Sequence, residues 1–308
     1  MVGVTCLADT DLDVFPLCLG GNVFGWTIDE ERSFAVLDTY FQAGGNFIDT
    51  ADSYGRRGAG GAGESERIIG RWIASRGNRE QLVIATKIGM SPDLSGLSPA
   101  TIRRGIEGSL ERLGVERVDL YLAHDFDPTV PLGDTLGAFD ELVAGGKIRA
   151  YGVSNFDAGQ LEAALEAGSP QAIQNAHSLL DRDDEERVLP LCARREIAYL
   201  AFGPLAGGWL TGKYRRDEAF PAGSRMTQRP EPYERLISPG TFTVLERLES
   251  AAAERGMSLA GLALAWLLAD ERVGQIVVGP GRPEHLEPVR EALAAPLSRA
   301  ERNELVLS

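Results

Sequence analysis

The sequence predicts an α/β fold: a closed (β/α)8 TIM barrel forming a single domain over residues 1–308. Three observations point there. Short apolar, β-branched runs recur along the chain and alternate with segments of helical periodicity, the pattern of parallel strands joined by helical crossovers. Polar residues stand at the C-terminal ends of consecutive runs, where barrel enzymes assemble their sites. No shift in composition marks a domain boundary, and ~250 residues commonly form one barrel.

The strand candidates are VFPLCLG from Val14, NFIDT from Asn46, LVIATK from Leu82, VDLYLAH from Val118, IRAYGVSN from Ile148, AIQN from Ala172, IAYLAF from Ile197 and QIVVG from Gln275. Between the first two, Thr27 and Glu30 form a capping-box pattern ahead of Phe34, Leu37 and Phe41, and Gly44-Gly45 ends the helix. Ser98-Pro99 supplies an N-cap followed by proline at the first helical position, before Ile102, Ile106, Leu110 and Leu113. Ser258 likewise precedes Leu259, Leu262, Trp266 and Leu267, a spacing that puts an apolar stripe on one face. The rhythm breaks once, where prolines punctuate a long irregular segment at about 203–239. After a barrel strand, such an insertion is more often a substrate or cofactor loop than a linker.

A doubly wound sheet would also alternate strands and helices, and Gly58, Gly60 and Gly63 spell a GxGxxG. A dinucleotide fingerprint needs its first glycine directly after the strand. Here DTADSYGRR intervenes, so GRRGAGGAG reads as a mobile loop.

Composition narrows the function. The net charge of −14 offers no electrostatic footprint for nucleic acid or an anionic membrane. The apolar stretch Leu259–Ala269 is too short to span a bilayer, and no basic leader opens the chain. Cys6, Cys18 and Cys192 are odd in number and widely spaced, which favours a reducing, cytoplasmic setting. Three histidines without HExxH or CxxC leave little for a metal site, and none is expected.

Asp49 ends the second run, Lys87 the third and His124 the fourth, while Asn155 stands just past the fifth and Gln174 near the end of the sixth. Lys87 is one of only three lysines and closes an apolar strand. With Tyr54, these residues bring a phenol, an ammonium, a carboxylate and an imidazole to one barrel mouth. Tyrosine, with a pKa near ~10, is a poor acid at neutral pH. An adjacent ammonium stabilises the tyrosinate, a carboxylate holds the lysine charged, and histidine polarises the oxygen that receives the proton. This is general-acid machinery for a carbonyl oxygen, and it requires a bound hydride donor.

The motifs NFIDTADSYG (46–55), GESERIIG (63–70), LVIATKIG (82–89), DLYLAH (119–124), GVSNF (152–156), QNAHSLLDR (174–182), FGPLAGGWLTGKY (202–214) and VVGPGRPEHLE (277–287) resemble, in order, those of the aldo-keto reductases. The likeness covers nearly the whole chain and extends to bacterial members similar to potassium-channel beta subunits. It implies a (β/α)8 barrel that binds NADPH without a Rossmann domain. Asp49, Tyr54, Lys87 and His124 match the family's catalytic tetrad, with Tyr54 as proton donor. Ser154, Asn155 and Gln174 match the residues that hold the nicotinamide carboxamide. Phe202 replaces a usual tyrosine against the nicotinamide ring. Leu205, Gly207 and Lys213 lie in the stretch that wraps the pyrophosphate, and Gly281, Arg282 and His285 in the one that meets the adenosine 2′-phosphate. Pro288-Val289 stands where a Glu-Asn pair is common, and Asn175-Ala176-His177-Ser178 where an NEYS-like string is usual.

The expected function is NADPH-dependent reduction of a small-molecule aldehyde or ketone. The alternatives are a cofactor-sensing regulatory subunit with little turnover and a nucleotide-sugar ketoreductase. Trp26, Phe126, His177 and Trp209, just past strand ends, are candidates for the pocket wall.

Overall fold

Eight parallel strands hydrogen-bond edge to edge into a closed barrel in the computed structural model, which describes residues 5–307. They are β1 (Leu17–Gly20), β2 (Phe47–Asp49), β3 (Val83–Ile88), β4 (Val118–Ala123), β5 (Ile148–Ser154), β6 (Ala172–Ala176), β7 (Ala198–Phe202) and β8 (Gln275–Val278). Each pairs with its successor, and β8 returns to β1 with Ile276 opposite Leu17. Closure leaves no strand edge unpaired. The predicted barrel is the observed one.

Helices α1 (Glu30–Gln42), α2 (Glu64–Arg76), α3 (Pro99–Leu113), α4 (Leu132–Ala144), α5 (Ala158–Ala167) and α6 (Val188–Arg195) follow the first six strands in turn. A four-residue helix, Arg225–Gln228, and two longer ones, α7 (Pro239–Glu254) and α8 (Leu259–Leu268), separate β7 from β8, and α9 (Glu287–Ala294) and α10 (Arg299–Leu307) come last. No helix among the described residues is long and apolar enough to cross a membrane.

The strand period of two divides the core. Ile48, Ile84, Tyr121, Val153 and Ile173 face the helices, whereas Phe47, Ala85, Leu122, Ala150 and Leu200 pack inside the barrel. A hairpin of Thr5–Cys6 and Asp13–Val14 joins that interior cluster through Leu7, Leu12 and Val14. The interior is therefore filled with apolar side chains. Along β2, β3, β4 and β6, the next inward positions toward the C-terminal end are Asp49, Lys87, His124 and Gln174, so the same alternation that builds the core delivers the polar set to the mouth.

Three sequence expectations need correction. The run from Val14 is two strands: Val14 belongs to the hairpin, and β1 starts after Pro16, which has no N–H to donate. The N-cap of α1 is Asp29, not Thr27; its carboxylate accepts from Arg32 N at 3.0 Å, while Thr27 N donates to Val23 O within a turn. Helix α8 is capped by Ser258 as expected, but Leu259 to Leu267 are all buried rather than only one face. It is enclosed by α7, α9, β8 and the segment Ala206–Thr211. The glycine loop is built of hydrogen-bonded turns, with Gly58 N donating to Gly55 O and Gly61 N to Gly58 O. A Cβ on Gly58 would lie 1.8 Å from Gly25 O, so only glycine lets this loop pack against Gly25. The Ser98 cap holds, accepting from Thr101 N at 3.2 Å.

Candidate active site

The C-terminal strand ends open into a cleft of about 1120 Å³. Lys87 lies beneath the Asp49 and Tyr54 that line it, fully buried, and its ammonium donates to both carboxylate oxygens of Asp49 at 2.6 Å and to Thr50 O at 2.9 Å. The same nitrogen reaches the Tyr54 hydroxyl at 3.2 Å. His124 packs edge-on against the Tyr54 ring, with ring centroids 5.7 Å apart. The four side chains singled out at the strand ends thus meet at one point, and Asp49, Tyr54 and His124 line the cleft.

Each charge state follows from these contacts. Burial disfavours the Lys87 ammonium, but Asp49 and Tyr54 oppose it, and the net effect holds the amine above its ordinary value. Lys87 is charged at neutral pH. Burial raises the Tyr54 phenol; the Lys87 ammonium pulls it down and Asp49 pushes it up, so the hydroxyl keeps its proton near neutrality. Burial first, then Lys87 and Arg56, hold the His124 imidazole well below its ordinary value. It is neutral, and its Nδ1 has no hydrogen-bond partner among the described residues. A neutral imidazole beside a protonated phenol is a donor pair suited to a carbonyl oxygen.

The neighbouring strands frame this point. Gln174 Nε2 donates to Asp49 Oδ1 at 2.9 Å, and the Ser154 hydroxyl donates to Gln174 O at 2.7 Å. Asn155 adopts a left-handed backbone, φ 59°, and donates to His124 O at 2.8 Å. Asparagine tolerates that conformation better than other side-chain-bearing residues. Phe202 closes the same wall of the cleft.

Farther out, Leu205, Gly207 and Lys213 line one side, and Gly281, Arg282 and His285 another. Gly207 has φ 64°, and a Cβ there would meet the Tyr233 ring at 2.6 Å. Arg282 Nη2 stands 3.1 Å from His285 Nε2. Pro288 also borders the cleft, so the position offers neither a carboxylate nor an amide to a ligand.

The pocket-wall candidates divide. Trp26 lines the cleft, between Arg225 at 4.5 Å and Arg57 at 5.9 Å from its ring. Phe126 borders a separate hollow of about 490 Å³ and packs edge-on against Phe156. His177 is fully buried against Trp266 and Tyr199, outside the cleft. Trp209 is fully buried among Tyr214, Phe220 and Phe242. Strand parity accounts for His177: three residues beyond the inward Gln174, it falls on the outer face. Sequence reasoning missed Arg56, Arg57, Arg225, Arg229 and Tyr233, all of which line the cleft from segments without periodicity.

The Aldo/keto reductase family profile matches residues 16–306. The chain belongs to the aldo/keto reductase family. Among its relatives, the Bacillus subtilis oxidoreductase YrpG is 35% identical, over 96% of this chain and 92% of its own. The Escherichia coli NADH-specific methylglyoxal reductase is 33% identical, over 94% of this chain and 92% of its own. The solved structure of the Gluconobacter oxydans glycerol dehydrogenase AKR11B4 superimposes with a TM-score of 0.84 at 28% identity, over 99% of this chain and 94% of that one. This aldo/keto reductase is therefore an oxidoreductase by family.

One group behind its site stands apart. Asp52 is buried, and neither carboxylate oxygen has a hydrogen-bond partner among the described residues. Burial, then the nearby Glu66, push its carboxyl from 3.8 up to about 7, against the pull of Arg112. A carboxyl raised on folding binds its proton more tightly in the folded state, so its contribution to stability falls as pH rises from 3.8 to about 7. The full penalty, on the order of 4 kcal/mol, is present above that range. Asp52→Asn is expected to melt near wild type at pH 4 and clearly higher at pH 8. Parallel melting temperatures across that range would show that Asp52 does not titrate as described.

Proposed function

We propose that the chain is a single-domain, NADPH-dependent reductase of aldehydes or ketones, acting in the cytoplasm, with Tyr54 as proton donor. The carrying observation is the buried Lys87 ammonium, fixed by Asp49 and 3.2 Å from the Tyr54 hydroxyl at the floor of a large cleft. As a carbonyl oxygen gains charge, Tyr54 gives it a proton, and Lys87 stabilises the tyrosinate left behind. Neutral His124 orients the oxygen. Asp49 keeps Lys87 charged and placed, and Gln174 holds Asp49 in turn.

The residues fit a dinucleotide. Lys213, Arg225 and Arg282 line the cleft without a carboxylate partner among the described residues, and Arg225 Nη1 is buried without any hydrogen-bond partner. They would hold the phosphates, while Ser154, Asn155, Gln174 and Phe202 would hold the nicotinamide end. A bound reduced dinucleotide supplies the hydride.

Steady carbonyl-dependent oxidation of NADPH tests the reading, with aldehydes and keto sugars as substrates. Tight NADPH binding with no turnover of any of them would instead favour a cofactor sensor.

Preference for the 2′-phosphate must arise locally, because the net charge of −14 repels an anionic ligand at long range. Arg282 can grip a phosphate through parallel N–H groups. Wild type is therefore expected to bind NADPH more tightly than NADH, and Arg282→Ala to weaken NADPH by about tenfold with much less effect on NADH. The loss shrinks as salt rises. Dissociation constants for both cofactors at two salt concentrations check this, and equal losses for NADH and NADPH would remove the 2′-phosphate assignment.

A further inference from the structure

Apart from Arg32, the cations lining the cleft fall into two groups, and a dinucleotide accounts for only one. Lys213 and Arg282 surround His285, whose imidazole is lowered by burial and then by both of their charges. That is the outer end. Arg56, Arg57 and Arg229 form the second group, and Arg225 links the two, its charge acting on Lys213 and those of Arg229 and Arg57 acting on it. The charge of Arg229 acts on Tyr54 and that of Arg56 on His124, so both lie within electrostatic reach of the floor. Arg57 lies over the Trp26 ring at 5.9 Å, on the face of the cleft that Arg225 also touches.

These arginines are unusual in this protein. Most arginines outside the cleft hold a carboxylate within ion-pair distance, including Arg71 with Glu30 and Glu64, and Arg149 with Asp11 and Asp119. Among the described residues, none of Arg56, Arg57, Arg225 and Arg229 does, although acidic residues outnumber basic ones by 14. The Arg56 guanidinium has one polar contact among the described residues, donating to Met90 O at 3.1 Å. The carboxylates that reach the cleft are Asp49, already paired with Lys87, and Asp125 and Glu284. A cleft walled by cations of one sign concentrates anions. Clustered arginines also repel one another, and burial and the neighbouring Arg229 and Arg57 lower Arg225 despite the opposing effect of tyrosines. An anion between them relieves that repulsion.

We infer that the substrate is an anionic carbonyl compound, bearing a carboxylate or a phosphate, whose charge is held by Arg57 and Arg229 while its carbonyl meets Tyr54. The inference rests on the reductase reading and adds the substrate class to it. Arg57 and Arg229 come from two separate segments, the loop after Tyr54 and the end of the short helix Arg225–Gln228, and both act on Arg225, so together they set how far the anionic group lies from the reacting carbon.

Matched pairs of substrates test this: 4-oxobutanoate against butanal for a carboxylate, and glyceraldehyde 3-phosphate against glyceraldehyde for a phosphate. Wild type is expected to favour one anionic member by at least tenfold in kcat/KM, and the pair that shows it identifies the anion. In Arg57→Gln/Arg229→Gln, that ratio falls by at least tenfold, mainly through KM, and in wild type it declines as salt rises. Calorimetric binding of succinate or glycerol 3-phosphate to the NADP⁺-loaded protein gives a readout free of turnover, and the double variant should lose it. Reduction of anionic and neutral members at equal efficiency would overturn the inference while leaving the reductase reading standing. So would a double variant whose main defect is weaker NADPH binding. Failure to reduce any carbonyl, with NADPH bound, would overturn the reductase reading and this inference with it.

Discussion

Tyr54→Phe is expected to slow carbonyl reduction by ~10² to 10⁴ while leaving NADPH affinity within about twofold of wild type. The substitution deletes one hydroxyl and keeps the ring, which packs against His124 and lies 4.8 Å from the Lys87 nitrogen. The wall of the cleft keeps its shape, but the proton source is gone. Lys87 also loses its contact with the phenol, yet retains Asp49 and Thr50, so the buried ammonium stays paired. Turnover with any accepted carbonyl, beside a fluorescence titration of NADPH, checks both halves of the expectation. Wild-type turnover in Tyr54→Phe would mean that the proton comes from elsewhere.

Lys87→Met is expected to damage both rate and stability. Asp49 is almost fully buried, and without the ammonium its carboxylate keeps Gln174 Nε2 as its remaining side-chain donor. Removing one member of a buried ion pair costs roughly 3–5 kcal/mol, because the other charge stays desolvated and unpaired. The rate should fall by at least ~10², since the tyrosinate loses its stabilising charge. Asp49→Asn/Lys87→Met separates the two effects. Without a buried charge, the pair variant should recover most of the unfolding free energy and none of the rate. Recovery of turnover together with stability would show that Lys87 acts only as a structural residue.

Much of this site was legible because it obeys the strand period. Lys87 ends a run of apolar residues, a place where a charge needs a reason, and Asp49, His124 and Gln174 fall at equivalent ends of other strands. Once Phe47, Ala85 and Leu122 are recognised as interior, the polar residues two positions on must point to the mouth. The same parity would have excluded His177. Trp209 was out of reach of such counting, because the Ala206–Thr211 segment contains left-handed glycines, at φ 64° for Gly207 and 97° for Gly208, and no period relates its side chains. The cap of α1 was ambiguous for a similar reason: Thr27 and Asp29 both precede the helix, and the turn that ties Thr27 N to Val23 O decides between them. Arg57 reaches the cleft from a loop, and Arg225 and Arg229 from the two ends of a single-turn helix, too short for a periodic pattern, so their approach depends on tertiary packing alone.

The central claim is that Lys87 acts on the reaction through the Tyr54 proton. The most direct test is the pH dependence of hydride transfer in a single turnover, compared between wild type and Lys87→Met, with 4-deuterated NADPH used to verify that transfer limits the rate. In wild type the rate should fall on the alkaline side as Tyr54 loses its proton. The Lys87 ammonium lowers that ionisation, so in Lys87→Met the fall should move to higher pH while the plateau drops. Alkaline limbs that coincide after scaling would contradict the account.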